Sequence, residues 1–360
     1  MTPPTLSLSL RTVPLLLAAL LASCGGGSED SGGASSNTPY QGTLLNGTNC
    51  TVRYYAQSQP SQRAGTDPLY LTQWYLKNTG RLTGYSGLAA GEDLQVENVW
   101  ASGLRGENIR VAVVDDALEV THQDLAPNVV EGASYNYVSD GSWQRGSPWP
   151  LPCTSSQTHG TAVGGVVAAR DSNGLGGRGV APRASLVGYN ALANDQDSEV
   201  LDALVRDQGK NHIYNNSWGA EDDGHFNTPA SRSAQVGTIL NGLRNGRNGL
   251  GSIYTFAGGN GGANGDYSVL DGNVSMLGAI PVCGTNAAGK RAPYSEPGPN
   301  LIVCAPSSDV GQAKGSSLPD VTTTTLQNQY TAKFNGTSAA TPMISGVIAL
   351  MLQANPNLTW

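Results

Sequence analysis

From about Asp67 onward, short β-type apolar runs alternate with runs of helical character, and this alternation constrains the fold more than any other feature. Strands in that rhythm are buried on both faces most simply as a parallel sheet flanked by helices. Ile109-Arg-Val-Ala-Val-Val114 has the composition of a buried strand and stops at Asp115-Asp116. His159-Gly160-Thr161 opens a helix of small residues running from Ala162 to Arg170. Ser185 to Tyr189 reads as a strand and Ser198 to Arg206 as a helix. His212 to Asn216 is a strand leading into Ser217-Trp218-Gly219, and Ser252 to Phe256 another ending at Gly258-Gly259-Asn260. Asn335-Gly-Thr-Ser338 opens a long apolar helix that reaches about Gln353. Pro342 is expected in the first turn of that helix, where its missing N–H costs nothing. Polar residues thus gather just past strand ends and at helix starts, where open α/β sheets place their active sites.

Three of these residues have the chemistry of nucleophilic acyl transfer, which needs a hydroxyl, an imidazole to take its proton and a carboxylate to orient the imidazole. The chain has four histidines, His122, His159, His212 and His225. Only His159 is followed by Gly-Thr and a small-residue helix. Ser338 lies in a tight turn entering a helix N-terminus, where free N–H groups and the helix dipole favour developing negative charge. Asp115 ends a hydrophobic strand and is suited to orient His159. Taken singly, each has an ordinary reading: a helix cap, a strand-end turn, an interior histidine. Together, in the chain order Asp, His, Ser, they make a constellation.

Val113-Val114-Asp115-Asp116, His159-Gly160-Thr161-Ala162-Val163-Gly164-Gly165 and Gly336-Thr337-Ser338-Ala339-Ala340-Thr341-Pro342 resemble the three active-site blocks of subtilisin-like serine proteases. Gly179-Val180-Ala181-Pro182 and Asn216-Ser217-Trp218-Gly219 resemble further segments of that family. The resemblance covers about residues 67–360. It implies a subtilisin-like three-layer α/β/α fold with a central parallel sheet, C-terminally truncated, and a catalytic triad of Asp115, His159 and Ser338. Asn260, in a glycine-rich loop, matches the family's oxyanion asparagine, with the backbone N–H of Ser338 as second donor.

Asp115-Asp116 in tandem, Ser217-Trp218-Gly219-Ala220-Glu221-Asp222-Asp223-Gly224, Gln73-Trp74-Tyr75-Leu76 and the closing Ala354 to Trp360 are similar to the kexin/furin branch. That likeness implies cleavage after Arg or Lys, with preference for basic pairs, because carboxylates in a cleft recognise basic side chains. Asp222 and Asp271 match acids of the primary pocket, and Asp116 an acid of the next. Asp202, in a looser alignment, matches an acid for a more distant basic residue. Ser217 and Gly219 match substrate-binding positions of that family. The sequence departs from the pattern at Ser156, where a further acid is expected. The alternatives are a degradative subtilisin of broad specificity and an inactive binding module that keeps the fold.

The same resemblance implies two Ca2+ ions. Asp67, Asp124, Asn173 and the carbonyls of Arg170, Leu175 and Gly177 match one site, and Asp222, Asp266 and Glu296 a second. A third, aspartate-rich family site is replaced by residues 137–158, which contain only Asp140.

The N-terminus reads as a targeting segment. Arg11 precedes an apolar run from Val13, too short to span a bilayer, that ends in Leu21-Ala22-Ser23-Cys24. This ending resembles a bacterial lipobox, so residues 1–23 are expected to be a signal peptide, Cys24 a lipidation site, and the exported protein membrane-anchored. Residues 24–66 are expected to be a flexible tether and N-terminal extension, shorter than the family's usual folding pro-segment, and 67–360 a catalytic domain incomplete at its C-terminus. Cys50, Cys153, Cys283 and Cys304 form an even set that suits disulfides in an exported protein and allows three connectivities. Cys50–Cys153 with Cys283–Cys304 is the pairing expected. A net charge of −7 argues against a nucleic-acid partner. It accords with basic peptide substrates; the oligomeric state stays open.

Overall fold

The computed structural model describes residues 45–54, 65–194, 196–225, 232–309 and 317–360. Residues 1–23, Cys24 and the Gly/Ser-rich part of the tether lie outside them. The described residues all belong to the unit Pro39–Trp360.

The described residues form thirteen α- and β-elements: α1 (Val96–Ala101), β1 (Arg110–Val114), α2 (His159–Ala168), β2 (Ser185–Tyr189), α3 (Asp197–Ala203), β3 (Ile213–Asn216), α4 (Arg232–Asn245), β4 (Ile253–Ala257), β5 (Ala279–Thr285), β6 (Val303–Pro306), β7 (Val321–Thr325), β8 (Gln329–Phe334) and α5 (Thr337–Ala354). The alternation read from the sequence holds from α1 to β4, after which β5 to β8 follow without an α-helix between them among those residues. Strands β1 to β6 form one parallel sheet in the order β2-β1-β3-β4-β5-β6. Strands β7 and β8 form a separate antiparallel hairpin.

The pleat explains the three layers. Side chains alternate across a strand, so Val111, Val113, Leu186, Ile213 and Ile253 join the core beneath α2 and α5. Ala112, Val114, Val187, Tyr189, Tyr214, Tyr254 and Phe256 join the opposite core, with Ile239 and Leu243 of α4 and Ala203 and Leu204 at the end of α3. This is the subtilisin-like α/β/α sandwich expected. The strand order reverses at β1, whose neighbours β2 and β3 depart in opposite directions, and such a switch point opens a crevice at the strand C-termini. Asp115 follows β1, and Ser217 to Gly219 follow β3.

Both expected disulfides, Cys50–Cys153 and Cys283–Cys304, are formed. The first of them ties the N-terminal extension to the body of the fold. Residues 45–54 are docked, with Cys50, Val52 and Tyr54 buried. The amides of Thr51 and Val52 donate to the Cys153 carbonyl at 2.9 and 3.1 Å. Those of Thr48 and Asn49 donate to the Asp140 carboxylate at 2.7 and 2.8 Å. The one acid in segment 137–158 therefore holds this N-terminal strap.

Candidate active site

Helix α2 can approach the end of β1 only because residue 160 lacks a side chain. A Cβ there would run into the Ala117 carbonyl oxygen and lie 2.8 Å from the Asp115 Cβ. The close approach brings His159 Nδ1 to 2.9 Å from Asp115 Oδ1. Asp115 is almost fully buried, whereas the His159 side chain is 36% exposed and packs edge-on against Phe334, with ring centroids 5.5 Å apart. Burial disfavours the imidazolium, but Asp115, through charge and hydrogen bond, and Asp116, through charge, outweigh it and hold the His159 pKa up at about 9.

Asp116, expected in a substrate pocket, has its carboxylate turned to the start of α2. It accepts from the Gly160 amide at 2.9 Å and from the His159 amide at 3.3 Å. This caps two otherwise unpaired N–H groups of the helix that carries the imidazole. Burial and the neighbouring Asp115 charge raise its pKa to about 7.

Ser338 is the second residue of α5, after Gly336 at φ 79°, a backbone state that favours glycine. Pro342 is the sixth residue of this helix, not part of its first turn, which corrects the sequence reading. With no N–H it leaves the Ser338 carbonyl without a helical donor, and the Ser217 hydroxyl donates there instead, at 3.1 Å. Reciprocally, the Ser338 hydroxyl donates to the Ser217 carbonyl at 2.9 Å. The spacing of Ser338 and Pro342, four residues apart, is the signal that would have found this clasp. Trp218 adds a second tie across the crevice, its Nε1 donating to the Val114 carbonyl at 2.9 Å.

Asn260 accepts at Oδ1 from the Thr337 amide at 2.7 Å and the Thr337 hydroxyl at 3.0 Å. The amide is thereby fixed with its Nδ2 hydrogens as the remaining donors. His159, Asn260, Phe334, Gly336 and Ser338 line one open cleft of about 430 Å³. Ser338 makes no hydrogen bond to His159 among the described contacts; rotation between staggered χ1 wells is what would turn its hydroxyl to the ring.

Beside this cleft the acids divide. Asp271 stands against the loop after β3: its Oδ2 accepts from the Ala220 amide at 3.3 Å, and a Cβ on Gly219 would meet that oxygen at 3.0 Å. Asp222, matched in sequence both to this pocket and to a metal site, is found in the second setting. Its carboxylate oxygen lies within 4.8 Å of those of Asp266 and Glu296, and it also accepts the Asn260 amide at 2.8 Å. Burial, together with the charges of Asp222, Asp266 and Asp271, raises Glu296 to about 7. Asp266 Oδ2 is buried without a hydrogen-bond partner. Clustered carboxylates with an orphaned oxygen fit a hard cation.

At the other expected ion site, the structure brings Asp67, Asp124 and Asn173 together. Asn173 joins the two carboxylates, its amide N donating to Asp67 at 3.2 Å and its Nδ2 to Asp124 at 2.7 Å. Arg178, which the sequence reading passed over, lies 2.5 Å from Asp67 Oδ2 in ion-pair contact without hydrogen-bond alignment. Burial and the Asp67 charge raise Asp124 to about 7, and its Oδ2 is also an orphan. One guanidinium for two buried carboxylates leaves room for further positive charge. Arg170 and Leu175 flank the pair through backbone N–H bonds, to the Asp124 carbonyl at 2.8 Å and the Asn173 side chain at 2.9 Å.

Asp202, matched in sequence to an acid for a more distant basic residue, lies half-exposed near the end of α3. Its carboxylate is engaged by the Arg206 guanidinium and by the Tyr137 hydroxyl at 2.6 Å, so its charge is already matched within the fold.

A family model described as the subtilase family matches residues 106–360. Neuroendocrine convertase 2 of Caenorhabditis elegans is 38% identical over 303 residues, covering 82% of this chain and 44% of the relative. The dibasic-processing endoprotease of Schizosaccharomyces pombe is 38% identical over 298 residues, 82% of this chain and 38% of the relative. Furin of Homo sapiens is 38% identical over 301 residues, 82% of this chain and 35% of the relative. The chain thus spans less than half the length of these relatives. Among solved structures, the serine protease of Aeromonas sobria superposes with TM-score 0.69 at 30% identity, covering 84% of this chain and 57% of that one.

Proposed function

The chain belongs to the subtilase family, and from that premise we propose that it is a serine endopeptidase that cuts after Arg or Lys, with preference for basic pairs. The observation that carries the reading is the 2.9 Å Asp115–His159 bond opening onto a cleft shared with Ser338 and Asn260. Asp115 holds Nδ1 protonated and leaves Nε2 to receive the Ser338 proton as the hydroxyl attacks the scissile carbonyl. The Nδ2 of Asn260 and the N–H of Ser338, the second at a helix N-terminus, stabilise the oxyanion. His159 then returns the proton to the leaving amine. Asp271, beside Gly219 and Ala220, supplies negative charge to the pocket that takes the basic side chain, with Asp222 in the same loop. The S. pombe relative, named for dibasic processing, supports the same preference.

Ca2+ is the metal suited to both acidic sites, held by Asp222, Asp266 and Glu296 and by Asp67, Asp124 and Asn173. There it supplies the charge that allows these carboxylates to stay ionised together. Export with lipid anchoring at Cys24 completes the reading, supported by the Leu21-Ala22-Ser23-Cys24 ending and by two disulfides, which form in oxidising compartments.

A fluorophosphonate probe tests the enzyme. Native protein should be labelled, and Ser338→Ala and His159→Ala should not; equal labelling of native protein and His159→Ala would overturn the triad. Cleavage of a peptide library should then enrich Arg and Lys before the cut, and Asp271→Asn should erode that enrichment. A flat profile would instead mean a degradative subtilisin. Cell fractionation of Cys24→Ala should release the protein from the membrane.

A further inference from the structure

Among the described residues, the catalytic cleft carries one cation as well as its neighbouring acids. Lys333, the penultimate residue of β8, lines the cleft with His159, Phe334 and Ser338 and is exposed. Among the described residues it forms no ion pair. The carboxyl on which its charge registers is Asp320, which burial pushes up more strongly than Lys333 lowers it. Its backbone is fixed, the amide donating to Thr331 Oγ1 at 3.2 Å and the carbonyl accepting from Asn335 Nδ2 at 3.1 Å. The next residue, Phe334, is the one packed against the imidazole.

These positions give the cleft a direction. The acids Asp271, Asp222 and Glu296 flank the loop after β3, which on the proposed reading is the side of the acyl half of a substrate. The imidazole must hand its proton to the departing amine, so the departing half lies on the His159–Phe334 side. We infer that Lys333 is a specificity-determining residue for that departing half, selecting substrates with Asp or Glu at the first position after the cut and disfavouring Lys or Arg there. The favoured substrate has a charge reversal across the scissile bond: basic before it, acidic after it.

This deepens the peptidase reading and rests on it. The test uses three peptides with the same basic residue before the cut and Asp, Ser or Lys at the first position after it. kcat/KM is measured for each with native protein, Lys333→Gln and Lys333→Glu. An exposed charge pair gives native protein a preference of about two- to fivefold for Asp over Ser, with Lys the poorest, and high salt narrows the spread. Lys333→Gln should level the series and Lys333→Glu should reverse it. An unchanged order in both variants would overturn the subsite while leaving the peptidase reading intact. Failure of native protein to cut even the Ser peptide would sink the peptidase reading and the subsite with it.

Discussion

Asp115→Asn is the substitution with the most to say about the site. The imidazole is held at about 9, with burial working against that value and Asp115 the first group working for it. An asparagine keeps the shape but removes the charge, and the ring should fall toward its ordinary 6.5. That fall corresponds to about 3.4 kcal/mol of lost imidazolium stabilisation. The ring is 36% exposed, so solvent screening reduces the loss to roughly 2 kcal/mol, or about thirtyfold in rate. An asparagine that donates to Nδ1 would also impose the wrong tautomer, carrying the loss toward ~10⁴-fold. The assay is kcat/KM against pH on one basic peptide. The native enzyme should gain activity as pH rises through about 9, whereas the variant should reach its lower plateau near neutral pH. The same linkage appears in stability. A histidine pKa raised on folding stabilises fully below 6.5, and that contribution is lost as pH rises through about 9. Activity within fivefold of native, or an acid limb that stays near 9, would refute the reasoning.

Other expectations follow from the same contacts. Glu119 is buried, bonds the Gln327 amide at 2.6 Å, and burial raises its pKa to about 7. Native stability should therefore decline from pH 4.5 to 7 by up to about 3 kcal/mol, and urea unfolding of Glu119→Gln should show that decline flattened. Gly160→Ala should push α2 off the Ala117 carbonyl, costing about 1–3 kcal/mol in overpacking and about 10²-fold in kcat, read by thermal unfolding and steady-state kinetics. Chelation with EGTA should lower the Tm of native protein, and Asp266→Asn should show a smaller Ca2+-dependent gain; a Tm indifferent to chelator would count against both ion sites.

Much of the architecture was legible because it is written in local periodicity. The apolar runs at 109–114, 185–189, 212–216 and 252–256 fall within a residue of the observed β1 to β4. Less local pieces were missed. β7 and β8 are threonine- and polar-rich, and they hold their place through side-chain bonds to a distant helix, Thr324 Oγ1 to the Thr161 carbonyl at 2.7 Å and Thr323 Oγ1 to the Ala162 carbonyl at 2.8 Å. α4 has no strong apolar stripe, and the docking of residues 45–54 depends on Asp140 and Cys153, about a hundred residues away.

The sequence by itself determined which residues are the candidates for acyl-transfer chemistry and in what order, because Asp115, His159 and Ser338 each stand at a strand end or helix start. Tertiary structure alone decided what each neighbouring acid does. Asp116 caps α2, Asp202 is matched by Arg206, and Asp222 gathers with Asp266 and Glu296. The reason is physical: a carboxylate's role depends on the donors and charges within a few ångströms of it, and those come from elements far apart along the chain.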